Sequence, residues 1–259
     1  FIYNFKNIYS IFFISNYKVS SIPNFKFENI IITWGKLKDF KKKIFKDNFS
    51  NTASSTTHKT LFFVIYLDKK IPKNIPDNVV LFFREREKID IYFFFKRFIS
   101  VLFTNNFSFT KFFHYFSSHT IFAEEIRSKL INSFNFLNIK KIIMPYEAQP
   151  FQNYIFKEVK KINKKIKTIG FIHSMVPAFP INFLKRDGSP DELLLSGEAQ
   201  LSLFIKYLNW KKENLKIIYS PRISKYIDKK NINSIFFPIS IESKKIILHV
   251  LENYILSKK

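Results

Sequence analysis

Hydrophobic positions along the chain fall into two patterns. Short apolar runs bounded by polar residues occur at Asn29–Trp34 (with a turn at Gly35), Leu61–Leu67, Val79–Phe83, Lys141–Tyr146, Lys167–Ile172, Glu192–Ser196 and Leu215–Tyr219. Their length and their β-branched and aromatic content predict buried strands. Longer segments predict helices at Ser118–Phe136, Pro150–Ile162 and Ala199–Asn209. In the first of these, Glu124, Glu125, Arg127 and Lys129 form the polar side. The basic stretch Lys36–Lys46 also reads as helical, and Asn51–Lys59 as a polar loop. From residue 140 onward strands and helices alternate, which predicts βαβ units and a parallel sheet. The expected fold class is therefore α/β, a Rossmann-like parallel sheet flanked by helices.

The polar, lysine-rich segment Ser224–Asn233 reads as a linker, followed by one more strand and helix at Ser234–Phe237 and Ile241–Ser257. This divides the chain into a domain over 1–223, a linker over 224–233, and the first βα unit of a second Rossmann-like domain over 234–259. One βα unit is too little for a domain, so the expectation is that the sequence stops inside its second domain. The first residue is Phe1 rather than Met, which fits a fragment or a processed product.

Ile89–Phe103 stands apart: it is of helix length and intensely aromatic, with Lys96 and Arg97 in its middle. It reads either as a core helix whose cations snorkel or as an interfacial helix resting on a membrane. No run reaches the ~18 apolar residues of a membrane span. Phe1–Ile14 is interrupted by Lys6 and lacks a small-residue cleavage site. The expected location is cytoplasmic, peripheral on the inner face of the plasma membrane.

Composition narrows the function. Hydrophobic residues are 46% of the chain, which excludes disorder, and there is no cysteine for a disulfide or thiolate metal site. Only 4 glycines are present, and neither GxGxxG nor GxxxxGK[ST] occurs. The net charge of +23 suggests nucleic acid at first sight. However, Phe 34 and Tyr 12 accompany an excess of Lys, Asn and Ile, residues that share AT-rich codons. Lysines are also spread through most segments rather than clustered. Both facts argue against nucleic acid, while the charge still favours anionic partners such as lipid headgroups or nucleotide phosphates.

The predicted strands of the regular part end in polar signatures at Glu147, His173, Glu198 and Arg222, separated by 26, 25 and 24 residues. One βα repeat has about this length. Parallel strands with right-handed crossovers would bring all four to the carboxyl edge of one sheet, where open α/β sheets bind ligands. Neighbouring strands lie ~4.8 Å apart, so Glu147 and His173 could face one small molecule from exposed strand ends. Each residue also has a plainer reading. Glu147 and Gln149 precede a helix with Pro150 near its start and would favour that start. His173 could be a hydrogen-bonded structural histidine. Ser54, Ser55, Thr57 and His58 in the polar loop are a weaker acceptor-side set.

The succession YEAQPFQ, GFIHSMVP, LLLSGEAQ and YSPR resembles the amino-terminal half of GT-B-type glycosyltransferases of bacterial surface-carbohydrate (capsule or O-antigen) biosynthesis. Those proteins carry a strand ending in E-x-Q-P-x-[EQ], another in G-[FY]-x-H-S-x-x-P, then a G-E strand end and an Arg after the next strand. Glu147, Gln149, Pro150, His173, Ser174, Pro177, Gly197, Glu198 and Arg222 match, over roughly residues 140–240. The resemblance implies transfer of a sugar from a nucleotide-sugar donor to a glycan or lipid-linked acceptor. It implies Glu147 or His173 as the base that deprotonates the acceptor hydroxyl. Gln149, Ser174, Glu198 and Arg222 would bind substrate, with Arg222 near phosphate. No DxD pattern occurs, so no metal and no cofactor beyond the donor substrate is expected. The carboxyl-terminal domain that holds the donor in such enzymes would only begin at Ser234. A non-catalytic binding or scaffold domain is the alternative from another class, with a basic nucleic-acid binder third.

Overall fold

The computed structural model describes residues 13–14, 17–22, 26–55, 59–85, 88–89, 95, 98–99, 103, 117–173 and 181–218. The chain divides into two units, Phe1–Ile223 and Ser224–Lys259, and all of the second lies outside the described residues. The linker and the strand and helix expected at Ser234–Phe237 and Ile241–Ser257 fall there too.

The strands are β1 (Phe13–Ile14), β2 (Tyr17–Val19), β3 (Asn29–Gly35), β4 (Phe40–Lys41), β5 (Ile44–Phe45), β6 (Thr60–Tyr66), β7 (Val79–Arg84), β8 (Lys88–Ile89), β9 (Lys141–Pro145), β10 (Lys167–Phe171), β11 (Glu192–Leu195) and β12 (Leu215–Ile217). Three α-helices have defined bounds, α1 (Ser118–Ser133), α2 (Pro150–Ile162) and α3 (Glu198–Tyr207), and Phe95, Phe98 and Ile99 are also helical. Eight strands form the main sheet in the order β12-β11-β10-β9-β3-β6-β7-β2. All neighbours are parallel except β2, which closes one edge antiparallel to β7. The architecture is thus a large, mostly parallel sheet flanked by helices, as the alternation from residue 140 predicts.

Both faces of the sheet are buried, which explains why its strands read as continuous apolar runs. On one face Ile30, Ile32, Leu61, Phe63, Val80 and Phe82 join Ile126 and Leu130 of α1 and Ile155, Phe156 and Val159 of α2. On the other, Ile31, Phe62, Val64, Val79 and Leu81 pack against Phe45 and Phe40. All seven positions of β6 are buried. At Gly170 on β10, an added Cβ would come within 2.8 Å of the Cβ of Tyr146, so glycine lets the buried Tyr146 lie flat against its neighbour strand. Burial pushes the Tyr146 phenol up to about 12, with opposing smaller effects from Ser189 and Arg186.

The expectation of a helix over Lys36–Lys46 is overturned. This stretch is a 3-10 turn at Leu37–Asp39 followed by the β4–β5 hairpin, with Phe40 opposite Phe45. Lys42 and Lys43 take φ of 48° and 62°, the type I′ turn that matches strand twist. Leu37, Phe40 and Ile44 are spaced as on a helix, but only Phe45 of the segment is fully buried, seated on Phe62 with centroids 5.6 Å apart. Burying that one ring on the sheet decides against the helix. Helix-length Ile89–Phe103 falls mostly outside the described residues.

An ion-pair ladder ties the strands at the far end of the sheet. Glu192 on β11, buried, accepts from Lys167 Nζ on β10 at 2.6 Å and lies 3.0 Å from Lys216 Nζ on β12. Desolvation pushes the Glu192 carboxyl up, but the two lysines outweigh it and hold its pKa below the ordinary 4.5. The ionised form therefore stabilises the fold above pH 4.5, and that contribution is lost as the pH falls through the depressed folded value. Glu192→Gln should lower the melting temperature at pH 7 by roughly 2–4 °C, about 1 kcal/mol for partly screened partners. The gap between variant and wild type should close on acidification below that window. A gap that is constant down to pH 3 would contradict the pairing.

Candidate functional site

The order of the main sheet reverses between β3 and β9. Strands β6 and β7 continue outward from one side of β3, whereas β9, β10, β11 and β12 continue from the other. Connections therefore diverge at the carboxyl ends of β3 and β9, and a crevice opens between them. A cleft of about 470 Å³ occupies this place, lined among others by Trp34, Lys36, Lys38, Phe49, Glu147 and Gln149.

Glu147 follows β9 and His173 follows β10, and these strands are direct neighbours, with Pro145 opposite Phe171. Glu147 Oε1 lies 3.2 Å from His173 Nε2, and Gln149 Nε2 donates to Glu147 Oε2 at 2.8 Å. The carboxylate is thus oriented from both sides. Its exposure differs sharply from that of its partner: the Glu147 side chain is 40% exposed and lines the cleft, while that of His173 is 7% exposed. His173 therefore sits behind the carboxylate, with the Phe49 ring edge-on against it at 4.7 Å between centroids. The expectation of an exposed strand end holds for Glu147 and fails for His173, because the β3–β6 connection folds over the imidazole.

The turn that aims Glu147 is built by a residue to which the sequence reading assigns no role. Gln152, fully buried, accepts the backbone N–H of Glu147 and that of Gln149, both at 3.0 Å, and donates to the Pro145 carbonyl at 2.5 Å. Between them Ala148 is held at φ 55°, a left-handed conformation unfavourable for a residue with a Cβ. The Ala148 side chain is itself buried, and backbone strain of this kind collects at functional sites. Gln149 then caps α2, with Pro150 in its first turn, so the start of a helix and the carboxylate share one short segment.

Other expected site residues are placed as follows. Glu198 is exposed at the start of α3 after β11, on the same edge but two strands from β9. Ser174, Arg222, Thr57 and His58 lie outside the described residues. Ser54 does not belong to the site: it is buried and its hydroxyl accepts the Phe45 backbone N–H at 3.0 Å. Its carbonyl meets Asn78, just before β7, which puts it toward the amino edge of the sheet.

The strand-end pattern does not point to the β3 side of the cleft, because the residues after Gly35 read as helical in the sequence. The available signal was Trp34-Gly35 at the end of a buried strand, an aromatic residue beside a turn on the ligand edge. Among the described residues no group of three or more His, Asp or Glu could hold a metal ion. Nor does any helix among them have the length and apolarity to cross a membrane. Neither the protein-family models nor the curated proteins include a match to this chain.

Proposed function

We propose that this chain is a sugar-transferring domain whose acceptor hydroxyl is activated at Glu147. The observation that carries the reading is the oriented Glu147 carboxylate, backed by His173 at 3.2 Å and opening into a cleft at the sheet's reversal point. The resemblance of residues 140–240 to surface-carbohydrate glycosyltransferases supplies the reaction class. In that reaction the acceptor oxygen bonds to the anomeric carbon of a nucleotide sugar. The bond from that carbon to the diphosphate oxygen breaks, the diphosphate leaves with the electron pair, and the hydroxyl proton passes to Glu147.

Burial supports Glu147 over His173 as the base. Glu147 reaches the cleft and acts as the base; His173, with its Nε2–H toward Oε1, is a positioning residue that holds the carboxylate. Trp34 and Phe49 offer aromatic faces to a sugar ring, and Lys36 and Lys38 attract anionic substrates. Glu198 and Arg222 keep their proposed roles in substrate binding, as do Gln149 and Ser174.

One observation favours a second reading, a non-catalytic binding domain: both Glu147 oxygens already have protein partners. Release of nucleoside diphosphate from a panel of nucleotide sugars separates the two, using protein expressed from the complete reading frame. Saturable binding without acceptor-dependent release would select the binding domain.

The membrane partner is part of the same proposal. Within Ile89–Phe103, the described Phe95, Ile99 and Phe103 recur every four residues and are 54%, 50% and 83% exposed. The Phe103 N–H donates to the Ile99 carbonyl as in a helix turn. An apolar ridge on a chain of net charge +23 suits an anionic lipid surface. Flotation with anionic liposomes should carry the protein upward at low salt, and Phe95→Ser with Phe103→Ser should reduce this severalfold. Absence of flotation at low salt would reject the membrane partner.

A further inference from the structure

Asp47 is a fully buried carboxylate in the connection between β3 and β6. Four donors converge on it. Thr33 Oγ1 on β3 donates to Oδ1 at 2.7 Å, and the Phe49 N–H donates to the same oxygen at 3.0 Å. The Ser50 N–H donates to Oδ2 at 3.1 Å, and the Ser50 hydroxyl donates to Oδ2 as well. Thr33 is itself fully buried, two residues before the carboxyl end of β3. The carboxylate therefore clamps the peptides on either side of Phe49 to the middle of the sheet. Such a burial is costly unless every lone pair is used, and here it is used for one short loop.

What that loop carries is Phe49. Its ring meets His173 edge-on at 4.7 Å and Trp34 at 5.5 Å. It thus spans from one wall of the cleft to the imidazole behind Glu147. We propose that Asp47 is a positioning residue of this site: through Phe49 it holds the His173 ring in the orientation that presents Nε2 to Glu147 and keeps water from its flank. For catalysis this rests on the transfer reading above; for the placement of His173 it stands without it. A loop seated by neutral hydrogen bonds alone would hold less firmly, because bonds to an ionised acceptor are roughly twice as strong.

The test reads the imidazole directly. The His173 Cε1–H resonance is assigned in a carbon–proton NMR spectrum as the signal lost in His173→Gln. Asp47→Asn preserves shape but turns one acceptor into a donor facing Ser50. Phe49→Leu leaves the Asp47 network intact and removes the ring. Both should move the His173 resonance in the same direction, and the double variant should move it no further than Phe49→Leu alone, since both act on one contact. In the transfer assay Asp47→Asn should lower kcat roughly 10–100-fold with KM little changed, the scale of a small misplacement of reacting groups, whereas Phe49→Leu, which also takes an aromatic face from the cleft wall, should raise KM as well.

Two results overturn the proposal. One is a folded Asp47→Asn with a lower melting temperature and an unmoved His173 resonance, which makes Asp47 a loop brace only. The other is a Phe49→Leu that leaves the resonance unmoved, which also decides the matter should Asp47→Asn not fold. If no transfer is detected at all, the function fails while the resonance still tests the positioning.

Discussion

Replacing Glu147 by Gln should lower transfer ~10²-fold or more, the scale of lost acid–base help, and leave folding almost unchanged. Glutamine has the shape of glutamate but cannot take a proton at neutral pH. The Glu147 side chain is 40% exposed, so truncating its charge leaves nothing buried and unpaired. One of its two contacts, to His173 or to Gln149, is kept by the amide oxygen. Exposed substitutions of this kind usually change stability by under ~0.5 kcal/mol. His173→Ala should behave differently. Its imidazole is 7% exposed and packed against Phe49, so removal leaves a cavity and should cost ~1–2 kcal/mol in addition to rate. His173→Gln retains an N–H donor toward Glu147 and should recover part of the rate lost in His173→Ala. Donor consumption and thermal melts by circular dichroism measure both effects. Near-wild-type rates in Glu147→Gln would remove the carboxyl edge as the active site. A full loss in His173→Ala with full activity in Glu147→Gln would make the imidazole the base.

Gln152→Leu should be the most destabilising single change near the site. The side chain is buried and satisfies three backbone groups: the N–H of Glu147, the N–H of Gln149 and the carbonyl of Pro145. Leucine fills similar space but leaves those groups without partners. At ~1–3 kcal/mol for each buried orphan, a total of roughly 3–5 kcal/mol is expected after partial relaxation. For a domain of this size that lowers the melting temperature by roughly 6–20 °C. Ala148 would also be released from its left-handed conformation, and the Glu147 carboxylate would lose its aim. Transfer should therefore fall even at temperatures where the variant is folded. Gln152→Glu is the informative control. A glutamate keeps the acceptor for both N–H groups but turns an oxygen instead of a donor toward the Pro145 carbonyl, so it should cost less than leucine where that oxygen is protonated and more as the pH rises. A melting temperature within 2 °C of wild type for Gln152→Leu would show that the turn does not depend on this side chain.

The central strands were legible because they are buried on both faces. A run such as Leu61–Tyr66 must be apolar throughout to lie between two packed layers, and no helical phase fits it. Helix α2 was legible to the residue, Pro150 to Ile162, because proline suits a first turn and apolar positions follow at helical spacing. The meeting of Glu147 with His173 was also legible, since a βα repeat of 26 residues returns the chain to the same edge of the neighbouring strand.

The hairpin was not legible. Leu37, Phe40 and Ile44 fit a helix as well as they fit anything, and the decision came from seating Phe45 on Phe62. Local spacing therefore sufficed wherever periodicity and burial agree, and it determined the parallel sheet and the strand-end carboxylate. Only the tertiary structure decided that the sheet reverses between β3 and β9, that Trp34 and Phe49 wall the cleft there, and that His173 is covered while Glu147 is open. Those outcomes depend on contacts between segments more than a hundred residues apart, such as Phe49 on His173. Their free energy comes from packing one segment against another, and no local pattern in either segment records it.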